Sequence, residues 1–130
     1  MRIKTSELTG PALDWAVAQC EEIAVELYAG SFWADPHNTG RKWYMWRPHA
    51  DWSQGGPIIE RERIRIDPRG VWCAAHDSCE WTHHTGETPL IAAMRCYVAS
   101  KLGDEIDVPD ELLHRDGRAA LETFNALFNR

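Results

Sequence analysis

The sequence has no long apolar run and little positive charge. No stretch of its 130 residues approaches the length of a membrane-spanning helix, and residues 1–5 lead into polar sequence without the apolar core of a signal peptide. We therefore expect a soluble, cytoplasmic protein with reduced cysteines and no membrane partner. Because 14 Lys and Arg face 20 Asp and Glu, a net charge of −6, we also expect no binding of duplex nucleic acid, which depends on basic residues.

The familiar motifs of catalysis and phosphate binding are missing as well. There is no phosphate-binding loop and no dinucleotide fingerprint, and the sequence around Ser53 lacks the first glycine of a nucleophile elbow. Adjacent carboxylates such as Asp104 and Glu105 are expected at helix ends, where solvation and the helix dipole explain them. We expect no catalytic residues and no cofactor, and a small hydrolase that uses Ser53 and a nearby histidine is left as an alternative.

Length and composition fit a single α+β domain. With 130 residues, of which 44% are hydrophobic, the chain can bury a core without disulfides or metal. We predict a mainly antiparallel sheet packed against two amphipathic helices, in a domain that spans residues 1–113. Residues 114–130 form a tail whose amphipathic helix, at about 118–128, docks on its own domain or on a second copy, so a homodimer is left open.

The two helices are marked by caps and by apolar periodicity. The first is expected to begin after Thr9 and to stop at Gly30, because apolar residues recur between them at spacings of three and four. In the second, Thr88 is the N-cap, Pro89 occupies the first helical position, and Gly103 follows the last turn.

Short strands are predicted in the middle of the chain. Residues 42–47 form one strand between proline- and glycine-containing segments. Residues 64–66 alternate apolar and basic side chains, residues 67–70 have the composition of a tight turn, and residues 71–75 return as a buried strand. Residues 58–62 fit either a helical turn or the start of a strand.

The chain is rich in tryptophan, and six of its seven tryptophans fall between Trp33 and Trp81. Trp52 precedes a Gly-Gly-Pro sequence, which we expect to form a tight turn that lets a ligand approach the backbone. Its indole face can stack on a planar ring, which is worth about 1–3 kcal/mol for a base. Alternatively, Trp52 fills the core beneath that turn. The predicted ligand-binding residues are Asp51, Trp52, Ser53, Gln54, Gly55, Gly56, Pro57, Ile58 and Arg61.

Charge is distributed unevenly along the chain. Residues 41–69 carry seven basic and four acidic side chains, a local charge of +3, whereas residues 70–130 carry five basic and ten acidic ones, a local charge of −5. A small anion would be attracted to the middle of the chain, where Arg61 can pair with a phosphate or carboxylate. The alternative is a solvated strand face on which charges alternate.

One cluster of thiol and imidazole groups has the chemistry that zinc prefers. Its members are Cys73, His76, Cys79 and His83. Their spacing matches no standard zinc finger or ribbon, and Cys73 falls within a predicted strand. We therefore expect no metal site and name these four residues only as candidates.

Three segments of the chain match the conserved blocks of a known family, in the same order. They are residues 4–18 (KTSELTGPALDWAVA), 51–62 (DWSQGGPIIERE) and 88–103 (TPLIAAMRCYVASKLG), followed by a matching Val108-Pro109. With these blocks the chain resembles the NinX-like phage proteins over about residues 3–113. The resemblance implies a phage or prophage accessory protein that works in the cytoplasm of an infected bacterium. It implies no established activity and no catalytic residues.

Two functions are compatible with these observations. The first is a non-catalytic module that binds a small polar or nucleotide-like ligand at the segment around Trp52. The second is an interaction factor that binds a host protein through exposed aromatic side chains and the C-terminal helix.

Overall fold

The computed structural model describes residues 1–28, 31–34, 44–76 and 83–112. Within these ranges the helices are α1 (Gly10–Glu21), α2 (Trp52–Glu62) and α3 (Pro89–Leu102). The strands are β1 (Arg2–Lys4), β2 (Val25–Tyr28), β3 (Ser31–Ala34), β4 (Tyr44–Trp46), β5 (Ile64–Arg69), β6 (Val71–His76), β7 (His84–Gly86) and β8 (Glu105–Asp107). Short 3-10 helices cover Thr5–Glu7 and Asp110–Leu112. The predicted tail at 114–130, with its helix at 118–128, lies outside the described residues.

The α+β class and the antiparallel pairing are confirmed, but the strands form three small sheets instead of one. The first sheet pairs β1 with β8. The second contains β2, β3 and β4 in that order, and the third contains β5, β6 and β7. The predicted hairpin is β5–β6, and its pairing continues to Arg69 opposite Val71. The predicted turn at 67–70 is therefore too long, because Gly70 alone, with φ of 84°, reverses the chain.

Helix α1 ends earlier than the periodicity predicts. Glu22 adopts a left-handed conformation, with φ of 57°, and the chain enters β2 instead of continuing to Gly30. Side chains from Ile23 to Leu27 alternate between half-buried and exposed, as expected of a strand. Leu27 fits both periods, because it lies three residues after Ala24 and two after Val25, and pairing with β3 decides for the strand.

Helix α3 forms as predicted and lies at the centre of the fold. The Thr88 hydroxyl accepts a hydrogen bond from the Ile91 N–H at 3.2 Å, and Gly103, with φ of 92°, follows the last turn. The helix packs against α1, α2 and the β5–β6–β7 sheet, and half of its side chains are buried. Contact with the sheet is close, since a Cβ on Gly86 would lie 2.6 Å from the Ala92 nitrogen.

The described helices are short. The longest of them, α3, has 14 residues, and no helix in the described ranges has the length and apolarity needed to cross a membrane.

Candidate functional site

The segment around Trp52 forms helix α2, so the predicted tight turn at Gly-Gly-Pro is wrong. Asp51 caps the helix: its Oδ1 accepts hydrogen bonds from the Ser53 N–H at 2.9 Å and the Ser53 hydroxyl at 2.6 Å. Gly55 and Ile58 are buried one turn apart on the inner face. Pro57 lies on the exposed side of the helix. It has no N–H to donate to the preceding turn, and the helix tolerates the loss of that hydrogen bond. Capping and burial together outweigh the helix-breaking residues.

Trp52 lies on the surface at the start of α2. Its side chain is 55% exposed, so it does not fill the core beneath a turn. Its ring covers the neighbourhood of Gly56, since a Cβ on that glycine would lie 3.9 Å from the Trp52 Cε3 atom. The indole is therefore accessible from solvent, but it does not line an enclosed pocket among the described residues.

A groove with a volume of about 680 Å³ runs between β4 and α2 and ends at the C-terminus of α1. Among the described residues it is lined by Glu21, Ile23, Tyr44, Met45, Trp46, Arg47, Asp51, Ser53, Gln54, Pro57 and Ile58. We call it the β4–α2 groove. Five of the nine predicted binding residues, Asp51, Ser53, Gln54, Pro57 and Ile58, line it together. The other four lie outside this lining. Trp52 is exposed to solvent, and Arg61 pairs with Glu21. Gly55 faces Leu90, and Gly56 lies next to the Trp52 ring.

The side chain of Gln54 closes one side of this groove. Its Nε2 donates to the Met45 carbonyl at 2.6 Å, and its Oε1 accepts from the Arg47 N–H at 2.7 Å. One carboxamide therefore joins helix α2 to the edge of strand β4 through two hydrogen bonds.

The turn that links β4 to α2 is held by a buried carboxylate that the sequence did not reveal. Asp14, which is only 4% exposed, lies 2.7 Å from the His49 Nδ1 through each carboxylate oxygen and accepts from the His49 backbone N–H at 3.2 Å. Its own carbonyl accepts from the Trp46 indole at 2.9 Å. Burial raises the pKa of Asp14 above its usual range, although the hydrogen bonds from His49 favour the charged form. A carboxylate within the apolar stripe of α1 was the available signal.

Arg61 is engaged by two carboxylates of the protein itself. Its guanidinium forms a two-pronged pair with Glu21, at 3.1 and 2.7 Å, and its Nε donates to Glu62 at 3.0 Å. The buried Tyr97 hydroxyl donates to the same Glu21 carboxylate at 2.6 Å. Burial alone would raise the pKa of Glu21, but the hydrogen bonds from Arg61 and Tyr97 outweigh it and hold that pKa below its usual value. This cluster ties α1, α2 and α3 together beside the groove.

The Glu21 cluster predicts an acid-sensitive contribution to stability. Because its pKa is lower in the folded state than the usual 4.5, the ionised carboxylate stabilises the fold above that pH, and the contribution is lost as the pH falls through the lowered value. We expect Glu21→Gln to cost about 1–2 kcal/mol at pH 7 and to flatten this acid dependence. Urea unfolding between pH 3 and pH 7 measures both effects. An unchanged pH profile in the variant would contradict the assignment.

A second cavity of about 560 Å³ lies beside Thr5 and Gly103. Its border carries charges of both signs, with Arg2 3.9 Å from Glu105. The Thr5 hydroxyl already donates a hydrogen bond to the Gly103 carbonyl at 2.6 Å. Its described lining includes the His84 imidazole but no Phe, Trp or Tyr ring. We therefore take the β4–α2 groove as the candidate site.

The candidate zinc ligands do not come together among the described residues. Cys73 and His76 are three positions apart on β6 and so point to opposite faces of the sheet. The His76 Nε2 lies 3.5 Å from a Glu62 carboxylate oxygen, and His83 precedes β7 at the surface. Cys79 lies outside the described residues. Within the described ranges no three His, Cys, Asp or Glu side chains are grouped to hold a metal ion.

Comparison with known proteins identifies the family. No curated protein matches the chain. The family model described as Bacteriophage P22, NinX matches residues 4–101, which is more than half of the chain and includes the whole lining of the β4–α2 groove. The predicted resemblance is thus confirmed, and the chain belongs to the NinX family of phage accessory proteins.

Proposed function

We propose that this protein is a non-catalytic binding module whose β4–α2 groove holds a small, nucleotide-like ligand. The observation that carries the proposal is the groove itself. Its volume of about 680 Å³ falls within the range typical of small-molecule sites, and its lining combines apolar side chains with a few polar groups.

The apolar part of the lining suits a planar ring. Tyr44 and Trp46 pack edge to face, with ring centroids 6.2 Å apart, and Trp46 is buried beneath while Tyr44 is half-buried at the groove. Ile23 and Ile58 add aliphatic surface. A base that stacks on an aromatic side chain gains about 1–3 kcal/mol, which makes the Tyr44 region the natural place for it.

The charges around the groove favour a ligand of low net charge. Arg47 supplies an exposed cation, and Asp51 a carboxylate. The third charged group, Glu21, is neutralised by Arg61. The described lining is therefore close to neutral, which suits a nucleoside or a nucleoside monophosphate better than a triphosphate.

The polar groups near the groove favour binding over turnover. The Ser53 hydroxyl donates to Asp51, and these hydrogen bonds lower the pKa of Asp51, which makes its carboxylate a poor base. The His49 ring is oriented by Asp14 but is not part of the groove lining. We therefore assign the groove a binding role.

Replacing Arg47 tests the proposal. We expect AMP, GMP or UMP to quench tryptophan fluorescence and to release heat on titration, and Arg47→Ala to weaken that binding about tenfold by removing the cation. The matched control is Arg65→Ala, which removes an exposed arginine from β5, away from the groove. If none of the nucleotides binds, or if both variants weaken binding equally, the proposal is wrong.

A second candidate function rests on Trp52. A tryptophan that is 55% exposed is the kind of side chain that anchors protein interfaces, which favours a host-protein partner. Under this alternative, Trp52→Ala removes a stoichiometric bacterial partner in pull-down experiments and leaves stability and nucleotide binding unchanged. Val71→Ala, at another exposed apolar side chain, is the control.

A further inference from the structure

We propose that the groove-side edge of β4 reads the base of the ligand, and that the Gln54 carboxamide occupies this edge when the groove is empty. The Met45 carbonyl would accept a hydrogen bond from an amino or imino N–H of the base, and the Arg47 N–H would donate to the neighbouring ring acceptor. The inference rests on the proposed function and specifies how the same groove recognises its ligand.

The backbone geometry makes these two groups available together. Residues two apart in extended backbone direct their N–H and C=O groups to the same side. The Met45 carbonyl and the N–H of Arg47, the residue that follows β4, accordingly bond to the same Gln54 side chain. Strand β3 pairs along the other edge, and both groups are bonded to Gln54 of α2. The groove-side edge of β4 thus presents one acceptor and one donor, with a single carboxamide between them.

A carboxamide is a close chemical stand-in for the edge of a nucleobase. It carries an acceptor and an N–H donor on one carbon, as adenine does with its ring nitrogens and its N6 amino group. A single trans peptide group cannot replace it, because its C=O and N–H point in opposite directions. The edge therefore favours a base over one peptide unit of an extended segment. An exocyclic carboxamide, as in nicotinamide, has the same chemistry and must be distinguished by experiment.

The exchange of Gln54 for a ligand is energetically balanced. The base would restore both hydrogen bonds that the carboxamide gives up, and the net value of each bond is small because water competes for the same groups. Gln54 is only half-buried, and it can swing along the groove while its neighbour Gly55 keeps the helix packed on α3. The base would then contact the Tyr44 side of the groove, and Asp51 at the other end could accept from a ribose hydroxyl.

Calorimetric titration of the full chain with matched ligands tests the reading of the base. The probes are AMP, purine riboside 5′-monophosphate, which lacks the amino donor, and nicotinamide mononucleotide. We expect AMP to bind at least tenfold more tightly than purine riboside monophosphate, and more tightly than nicotinamide mononucleotide. ATP should bind no more tightly than AMP, because the described lining is nearly neutral.

Variants at Gln54 test the stand-in role. Gln54→Met keeps the length of the side chain but leaves the β4 edge free, and we expect it to bind AMP severalfold more tightly than the wild type. Gln19→Ala, at an exposed glutamine of α1, is the control and should change nothing. Thermal unfolding of each variant verifies that it is folded, and the ligand series on the wild type does not depend on any variant.

The outcomes separate this inference from the proposed function. If AMP and purine riboside monophosphate bind equally while Arg47→Ala still weakens both, the edge does not read the base, and the groove remains the binding site. Tighter binding of nicotinamide mononucleotide than of AMP would overturn the assignment to a base, and weaker AMP binding by Gln54→Met would overturn the stand-in role. If no nucleotide binds at all, the proposed function is wrong, and the inference that rests on it is wrong as well.

Discussion

Replacing Asp14 by alanine is expected to lower the free energy of unfolding by about 3 kcal/mol, the largest effect of any single substitution proposed for this protein. The carboxylate is buried and accepts hydrogen bonds from the His49 ring and backbone, each of which loses its partner in the variant. The turn between β4 and α2 depends on that contact, so the two sides of the groove should also lose their fixed spacing.

Two control variants separate the hydrogen bonds from the loss of charge. Asp14→Asn keeps an oxygen acceptor for His49 and should recover about half of the loss. Asp104→Ala removes an exposed carboxylate and should change stability by no more than about 0.5 kcal/mol. Urea unfolding at pH 7 measures all three variants. The role assigned to Asp14 is wrong if Asp14→Ala and Asp104→Ala prove equally stable.

Alanine substitutions at the adjacent glycines of α2 are expected to have opposite effects. A Cβ on Gly55 would lie 2.6 Å from the Leu90 Cδ2 atom and 2.7 Å from the Pro48 carbonyl oxygen, so α2 must move away from α3. We expect Gly55→Ala to destabilise the protein by about 2 kcal/mol, even after the gain in helix propensity. At Gly56 the nearest such atom is the Trp52 Cε3 at 3.9 Å, an ordinary contact.

Gly56→Ala is therefore the matched control, and it should stabilise the protein by about 0.5–1 kcal/mol through helix propensity alone. Thermal and urea unfolding of the two variants under the same conditions give the comparison. Equal signs for the two effects would mean that the contact between α2 and α3 is looser than the interatomic distances indicate.

Local signals were sufficient for helix α3 and for the β5–β6 hairpin. The Thr88 cap, Pro89 and Gly103 act within one or two turns of the helix, and the β5–β6 strands are neighbours in sequence. The end of α1 was misplaced because the apolar residues that follow it contain both a helical and a strand spacing. The choice between them depends on β3, which is contributed by a later part of the chain.

The predicted binding residues share the candidate groove only in part. Asp51, Ser53, Gln54, Pro57 and Ile58 line the groove, as a segment rich in glycine and polar residues suggested, but this segment is a helix. Trp52 was predicted to be at the centre, and it points to solvent instead. Side chains lie on different faces in a turn and in a helix. An error in local conformation therefore changes which of these side chains face the groove.

The sequence by itself determined the family, the α+β class, the caps of α3 and the β5–β6 hairpin. The caps and the hairpin were accessible because they depend on residues close together in the chain. Only the tertiary structure decided the contact between Asp14 and His49, the pairing of Arg61 with Glu21, and the bridge from Gln54 to β4. These contacts join elements whose spacing is set by packing against α3. The partner of a buried carboxylate and the role of a strand edge have no local signature, because both depend on the atoms that the fold brings beside them.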